Sequence, residues 1–243
     1  MAGAHVFPGG TVDPEDADPA ILARCVGQSG EEAAARMSEP DDPAAALAFH
    51  VAAIRETFEE AGVLLAEGAE RHAPEVLAEA RDALNAGRRT FVALAEELDL
   101  RLRIDALAVQ ARWITPIIEA RRYDTRFFLA EAPGAQDASH DAKETTESAW
   151  MTPTHALDAA LAGRIQLPPP TLVTLGWLAK RGSIEEAFEA ARARPPPRVL
   201  PAFTRDGTKV VLALPGDPAH PSPTPAFEGV SRVVLEEGRW WAR

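Results

Sequence analysis

The strongest periodic signal in the chain runs from Leu47 to Val63. Counted at about 100° per residue from Glu56, the apolar side chains Leu47, Val51, Ile54, Phe58 and Ala61 all fall between about 140° and 220°. Glu60 and Glu59 fall near 40° and 300° on the same count, so with Glu56 they share the opposite face. Asp41 or Asp42 can cap this helix, Pro43 suits its first position, and Gly62 ends it. Upstream, Phe7-Pro8-Gly9-Gly10 reads as the end of a strand entering a tight loop, and Pro19 to about Met37 reads as one helix broken by the prolines Pro40 and Pro43. Downstream, 73–99 is helical with a break near Gly87. Strands are expected over Val109–Ile118, Thr125–Ala130 and a short Ser148–Thr152. Helices follow near 154–162, 170–180 and 183–192. Pro195-Pro196-Pro197 leads into a β segment with strands over Val199–Phe203, Lys209–Leu214 and Val230–Leu235 and a hairpin turn at Arg205-Asp206-Gly207. The order of elements predicts an α+β chain divided into 1–193 and a C-terminal β extension, 194–243.

Composition narrows the function. At 243 residues the chain can bury a substantial core, and 46% hydrophobic with 26% charged residues fits a folded rather than a disordered protein. A formal charge of -12 works against nucleic acid or an anionic membrane surface as a partner. One cysteine, Cys25, permits no internal disulfide and no zinc-ligand spacing, and no apolar run approaches the roughly 18 residues of a bilayer span. The expectation is a cytoplasmic protein, without membrane partners.

Like charges three and four residues apart destabilise a helix by roughly 0.2–0.5 kcal/mol per pair. Glu56, Glu59 and Glu60 therefore need compensation, which Arg55 supplies in part and a divalent cation would complete. The run Arg55-Glu56-Thr57-Phe58-Glu59-Glu60-Ala61-Gly62-Val63 resembles the second half of the nudix box, with Thr57 standing where an aliphatic residue is usual. The first half is out of register: the positions eight and fourteen before Arg55 are Leu47 and Asp41, where the box has Glu and Gly. The missing glycine is found in Phe7-Pro8-Gly9-Gly10, with Asp16 at the offset of the missing Glu, so that about 11–46 forms a helical insertion splitting the box. Such a split box, with Arg122-Tyr123-Asp124-Thr125-Arg126-Phe127-Phe128, Glu147-Ser148-Ala149-Trp150 and Leu167-Pro168-Pro169-Pro170-Thr171, is similar to the nudix branch that includes the peroxisomal coenzyme A diphosphatase.

That resemblance implies a nudix-type α/β/α sandwich with a mixed sheet. Only Met1 to Val6 precede the glycine loop, so either the start is truncated or the sheet is completed by C-terminal strands or by a second subunit, as in a homodimer. It implies hydrolysis of a small-molecule diphosphate with Mg²⁺ or Mn²⁺ held by Glu56 and Glu60. Glu59 is a further ligand or the base, Arg55 orients the carboxylates, and the Gly9 carbonyl is a possible ligand. Glu147, with Glu144 as a substitute, is the candidate base outside the box, and Gly10, Arg122 and Arg126, alongside Arg121, are candidate substrate contacts. His5, His50, Cys25, Trp113 and Trp150 read as structural. The implied substrate is coenzyme A or an acyl derivative. NADH, ADP-ribose or a nucleotide sugar is the alternative, and a nudix-fold binding module without catalysis the reading from another class.

Overall fold

The computed structural model describes residues 4–39, 41–134 and 149–243. They form two compact units: one comprises 8–109 with the described part of 128–149, the other 110–127 and 150–243 with the described part of 1–7.

In the first unit a 3-10 turn at Pro14–Ala17 leads into α1 (Pro19–Leu22), β1 (Cys25–Val26), α2 (Gly30–Met37) and α3 (Pro43–Ala61). The single helix expected over 19–37 is thus two. After a turn at Gly27, Ser29 starts α2 afresh: its hydroxyl accepts the Glu32 amide and its own amide donates to the Glu32 carboxylate. Helix α3 has the expected limits, because the Asp42 carboxylate accepts the Ala45 amide and Gly62 closes the helix at a φ of +72°.

β2 (Ala66–Glu67), α4 (Pro74–Asn85), α5 (Phe91–Glu97), β3 (Arg101–Arg103) and the start of β4 (Leu107–Ile114) follow. β3 is the central strand of a small mixed sheet, parallel to β1 and antiparallel to β2. The apolar face of α3 lies at the centre of the core: Val51, Ile54 and Phe58 pack among Ile21, Leu64, Leu94 and Leu102. Each such side chain contributes about 1.5–3 kcal/mol through burial. His50 is buried beside them, its Nδ1 bonded to the Ala46 carbonyl at 2.7 Å and its ring 4.7 Å from that of Phe128. Burial, helped by the Arg36 charge, holds it below its ordinary pKa against that hydrogen bond, which fits a core residue. Cys25 is half-buried, and desolvation pushes its thiol up to about 11, so it is a poor nucleophile.

The second unit holds the rest of β4, then β5 (Asp124–Ala130, whose last residues return to the first unit), α6 (Pro153–Leu161), α7 (Pro169–Leu178), α8 (Ile184–Arg192) and β6 (Arg198–Val199). β4 ends before Pro116 rather than at Ile118, and β6 pairs parallel to it. An antiparallel meander completes the chain: β7 (Ala202–Asp206), β8 (Lys209–Ala213), β9 (Arg232–Glu236) and β10 (Arg239–Ala242). Pro201, which lacks an amide donor, divides the expected Val199–Phe203 strand. β10 was not expected. No strand forms at 149–152; Thr152 instead caps α6, and Trp150, on no sheet face, is 71% exposed. Trp113 does belong to the core, stacked on Phe227 at 5.7 Å.

Within the meander, the connection between β8 and β9 is tied to β9 by Asp217, a fully buried carboxylate bonded to Arg232 Nε at 2.7 Å and Nη2 at 3.0 Å. Burial opposes the Asp217 charge, but the hydrogen bonds from Arg232 and the Ala219 amide outweigh it and hold the pKa below its ordinary value. A carboxyl with a depressed folded-state pKa stabilises the fold above its unfolded pKa of about 3.9 and loses that contribution as pH falls through the folded value. Asp217→Asn should therefore cost about 1–3 kcal/mol at pH 7, and thermal melts should show the gap to wild type closing as the pH is lowered below about 4.

Candidate active site

The site assembles in the first unit around Arg55. Its guanidinium, with a side chain 7% exposed, grips Asp16 in a fork, Nε to Oδ1 and Nη2 to Oδ2, both at 2.9 Å. Nη2 also donates to the Thr11 carbonyl at 2.9 Å, while Nη1 donates to Glu56 at 2.9 Å and Glu59 at 3.1 Å. Asp13 stands 3.6 Å away. One cation thus serves four carboxylates and fixes the loop of 11–16 against the α3 face.

The glycine loop closes the other side. The Gly9 amide donates to Glu60 Oε2 at 3.0 Å. A Cβ on Gly10 would stand 2.2 Å from Glu56 Oε1, so that position has room for glycine alone unless the carboxylate moves. Gly9, Gly10, Arg55, Glu56, Glu59 and Glu60, read from the sequence as one constellation, are neighbours. Arg122 and Arg126 belong to the other unit: Arg122 Nε donates to the Thr115 carbonyl at 3.3 Å, and Arg126 pairs with Asp124 at 3.2 Å. In that unit Arg121 lies over the Tyr123 ring at 5.2 Å. Glu144 and Glu147 lie outside the described residues.

Two supporting residues escaped the sequence reading. Arg81 on α4 donates to the terminal α3 carbonyls, Nε to Glu59 O at 2.8 Å and Nη2 to Glu60 O at 2.6 Å, and Asn85 adds a bond to Glu59 O at 3.1 Å. They satisfy carbonyls that a helix end leaves open and put a positive charge at the negative end of its dipole. The available signal was Arg81 lying between Leu77, Ala80 and Leu84 on the inward stripe of α4, where a cation needs a buried acceptor.

The electrostatics are strained toward the acidic side. Desolvation and then the neighbouring Glu56 outweigh the pull of Arg55 and push Glu59 up to about 7, and desolvation raises Glu56 as well. Burial disfavours the Arg55 charge, but Asp16, Glu59 and Glu56 more than offset it and tighten its proton. Among the described residues no group of three or more His, Cys, Asp or Glu side chains stands arranged to hold a metal ion. The carboxylates are instead occupied by Arg55 and the Gly9 amide. The donor chemistry still suits a hard divalent cation: three carboxylates on one helix face, short of positive charge, beside the two glycines Gly9 and Gly10.

The family model for the NUDT19 Nudix domain matches residues 1–178. The chain belongs to the nudix hydrolase family. Within it, this nudix protein is of the NUDT19 type: it is 30% identical over 209 residues to the acyl-coenzyme A diphosphatase NUDT19 of Xenopus laevis, an alignment covering 78% of this chain and 55% of that one. To the human protein of the same name it is 28% identical over its whole length and 76% of the relative. The crystal structure of a nudix hydrolase from Alicyclobacillus acidocaldarius superposes with a TM-score of 0.57 at 25% identity, covering 80% of this chain and 82% of the other, which supports the nudix fold. No described helix is long and apolar enough to cross a membrane.

In this nudix protein Asp16 takes the part that the split box leaves to a distant residue, holding the box arginine. Without Asp16 the buried guanidinium loses both acceptors of the fork while Glu56, Glu59 and the Thr11 carbonyl keep it partly paired, which costs about 2–3 kcal/mol. Asp16→Ala should lose that much in urea unfolding, whereas Glu59→Gln, at a partly exposed carboxyl, should lose less than about 1 kcal/mol. A loss of the same small size in both would show that the fork does not anchor the loop.

Proposed function

We propose that this nudix protein is a Mg²⁺- or Mn²⁺-dependent diphosphatase that cleaves coenzyme A or an acyl-coenzyme A to 3′,5′-ADP and the corresponding 4′-phosphopantetheine. The observation that carries the reading is the set Glu56, Glu59 and Glu60 on one face of α3, organised by Arg55 and abutted by Gly9-Gly10. The names of the relatives point the substrate class toward acyl-coenzyme A.

Glu56 and Glu60 would hold the ion, with Glu59 as a further ligand or proton acceptor and the Gly9 carbonyl as a supplementary donor. Bound there, a divalent cation neutralises the diphosphate and lowers the pKa of an attacking water. Arg55 orients Glu56 and Glu59, since its hydrogen bonds set the direction of both carboxylates. The glycines let the diphosphate approach the backbone without a side chain between. Arg122 and Arg126 are retained as candidate phosphate contacts and Glu147 as a candidate base.

A substrate panel with Mg²⁺ and Mn²⁺ tests this reading, comparing wild type with Glu60→Gln. Coenzyme A should yield 3′,5′-ADP, and the variant should lose about a hundredfold or more in kcat/KM, since even residues that merely support metal ligands are worth 10–100-fold. Turnover of NADH or ADP-ribose without coenzyme A would replace the substrate. No turnover of any diphosphate would replace catalysis by a binding role.

A further inference from the structure

The second unit contains a pocket of about 380 Å³ whose chemistry the nudix site does not use. Trp177, Arg181, Ala190, Arg194, Phe227 and Glu228 are among the residues that line it, and of these only Trp177 falls within the matched Nudix domain. Its volume is in the range of small-ligand sites, about 300–1,000 Å³. Two guanidinium groups face it in a chain whose overall charge is -12.

Neither guanidinium is neutralised in full. Arg181 lies over the Trp177 ring at 4.7 Å, and the carboxylate it meets, that of Glu186, stays at 3.8 Å. Its Nε is buried with no hydrogen-bond partner among the described residues. Arg194 gives Nη1 to the Ala226 carbonyl at 2.9 Å. Burial and then the Arg181 charge hold Arg194 below its ordinary pKa. Outside the lining, Lys180 is a third cation, bonded to the carbonyl of the lining residue Glu228 at 2.5 Å. Glu228 and Glu186 are the acids nearby, against three bases.

The geometry points to this pocket as a second ligand site that takes a phosphate monoester group, its oxygens between Arg181 and Arg194 and its organic part against Phe227 and Ala190. Two arginines present planar donor forks suited to a dianionic tetrahedral oxyanion, and the surrounding Trp177, Pro225 and Phe227 supply apolar contact.

Calorimetric titration of the full chain with phenyl phosphate and with inorganic phosphate, in EDTA so that metal on α3 plays no part, tests the site. Both probes should bind wild type and Glu60→Gln alike. Ala190→Glu, which adds a carboxylate while leaving both arginines and their hydrogen bonds, should weaken binding about tenfold or more at an unchanged melting temperature, and Arg194→Gln, which also gives up the bond to the Ala226 carbonyl, should weaken it by at least as much. Tighter binding of phenyl phosphate assigns the site to an organic monoester, and equal binding assigns it to the free ion; either supports the oxyanion site. Absence of binding at millimolar probe, affinity indifferent to Ala190→Glu, or loss in Glu60→Gln would overturn it. Because no metal and no turnover enter the readout, a failure here is separate from a failure of the diphosphatase reading.

Discussion

The fork between Arg55 and Asp16 is the constraint on which the nudix site rests. A guanidinium this deeply placed must have its donors satisfied, and the structure satisfies them with a carboxylate and a carbonyl from the 11–16 loop and two carboxylates from its own helix. The loop cannot leave without emptying the buried Nε and Nη2 donors, and the helix cannot rotate without breaking the same bonds. Sequence separation is therefore irrelevant to the box: the turn of chain holding Asp16 returns to Arg55 across α1 and α2, which pack on α3 through Ile21, Ala33, Ala34 and Met37.

The same fork explains how so much negative charge is tolerated. Burial, and then the neighbouring carboxylates that share Arg55, leave Glu56 and Glu59 with raised proton affinity. A local excess of carboxylate in a half-buried setting lowers stability by itself and favours any hard cation that relieves it. The acidity that argues against nucleic acid as a partner is partly gathered here, so it does not argue against a small diphosphate accompanied by divalent ions.

Elements with a local signal were legible in the sequence. Helix α3 declared itself through its period, its Asp42 cap and its Gly62 stop, and the three glutamates came with it. Gly9, Gly10 and Asp16 were recoverable because the box pattern specified what to look for upstream. What was lost depends on contacts distant in sequence. Cys25-Val26 is a strand only because β3, far along the chain, pairs with it, and β10 exists because β9 offers an edge. Trp150 looks like a core residue by composition, yet it has no sheet to cover it. The spacing along α4 marks Arg81 as an inward cation, but the two carbonyls of another helix that it serves are set by tertiary packing.

The central claim is that the acidic face of α3, as Arg55 presents it, is a divalent-cation site. Electron paramagnetic resonance of a Mn²⁺ titration reads this directly, comparing free and bound ion in wild type and in a Glu56→Gln, Glu60→Gln double variant. The account predicts bound Mn²⁺ in wild type and an affinity at least about tenfold weaker in the double variant. Equal Mn²⁺ affinity in the two proteins would contradict it.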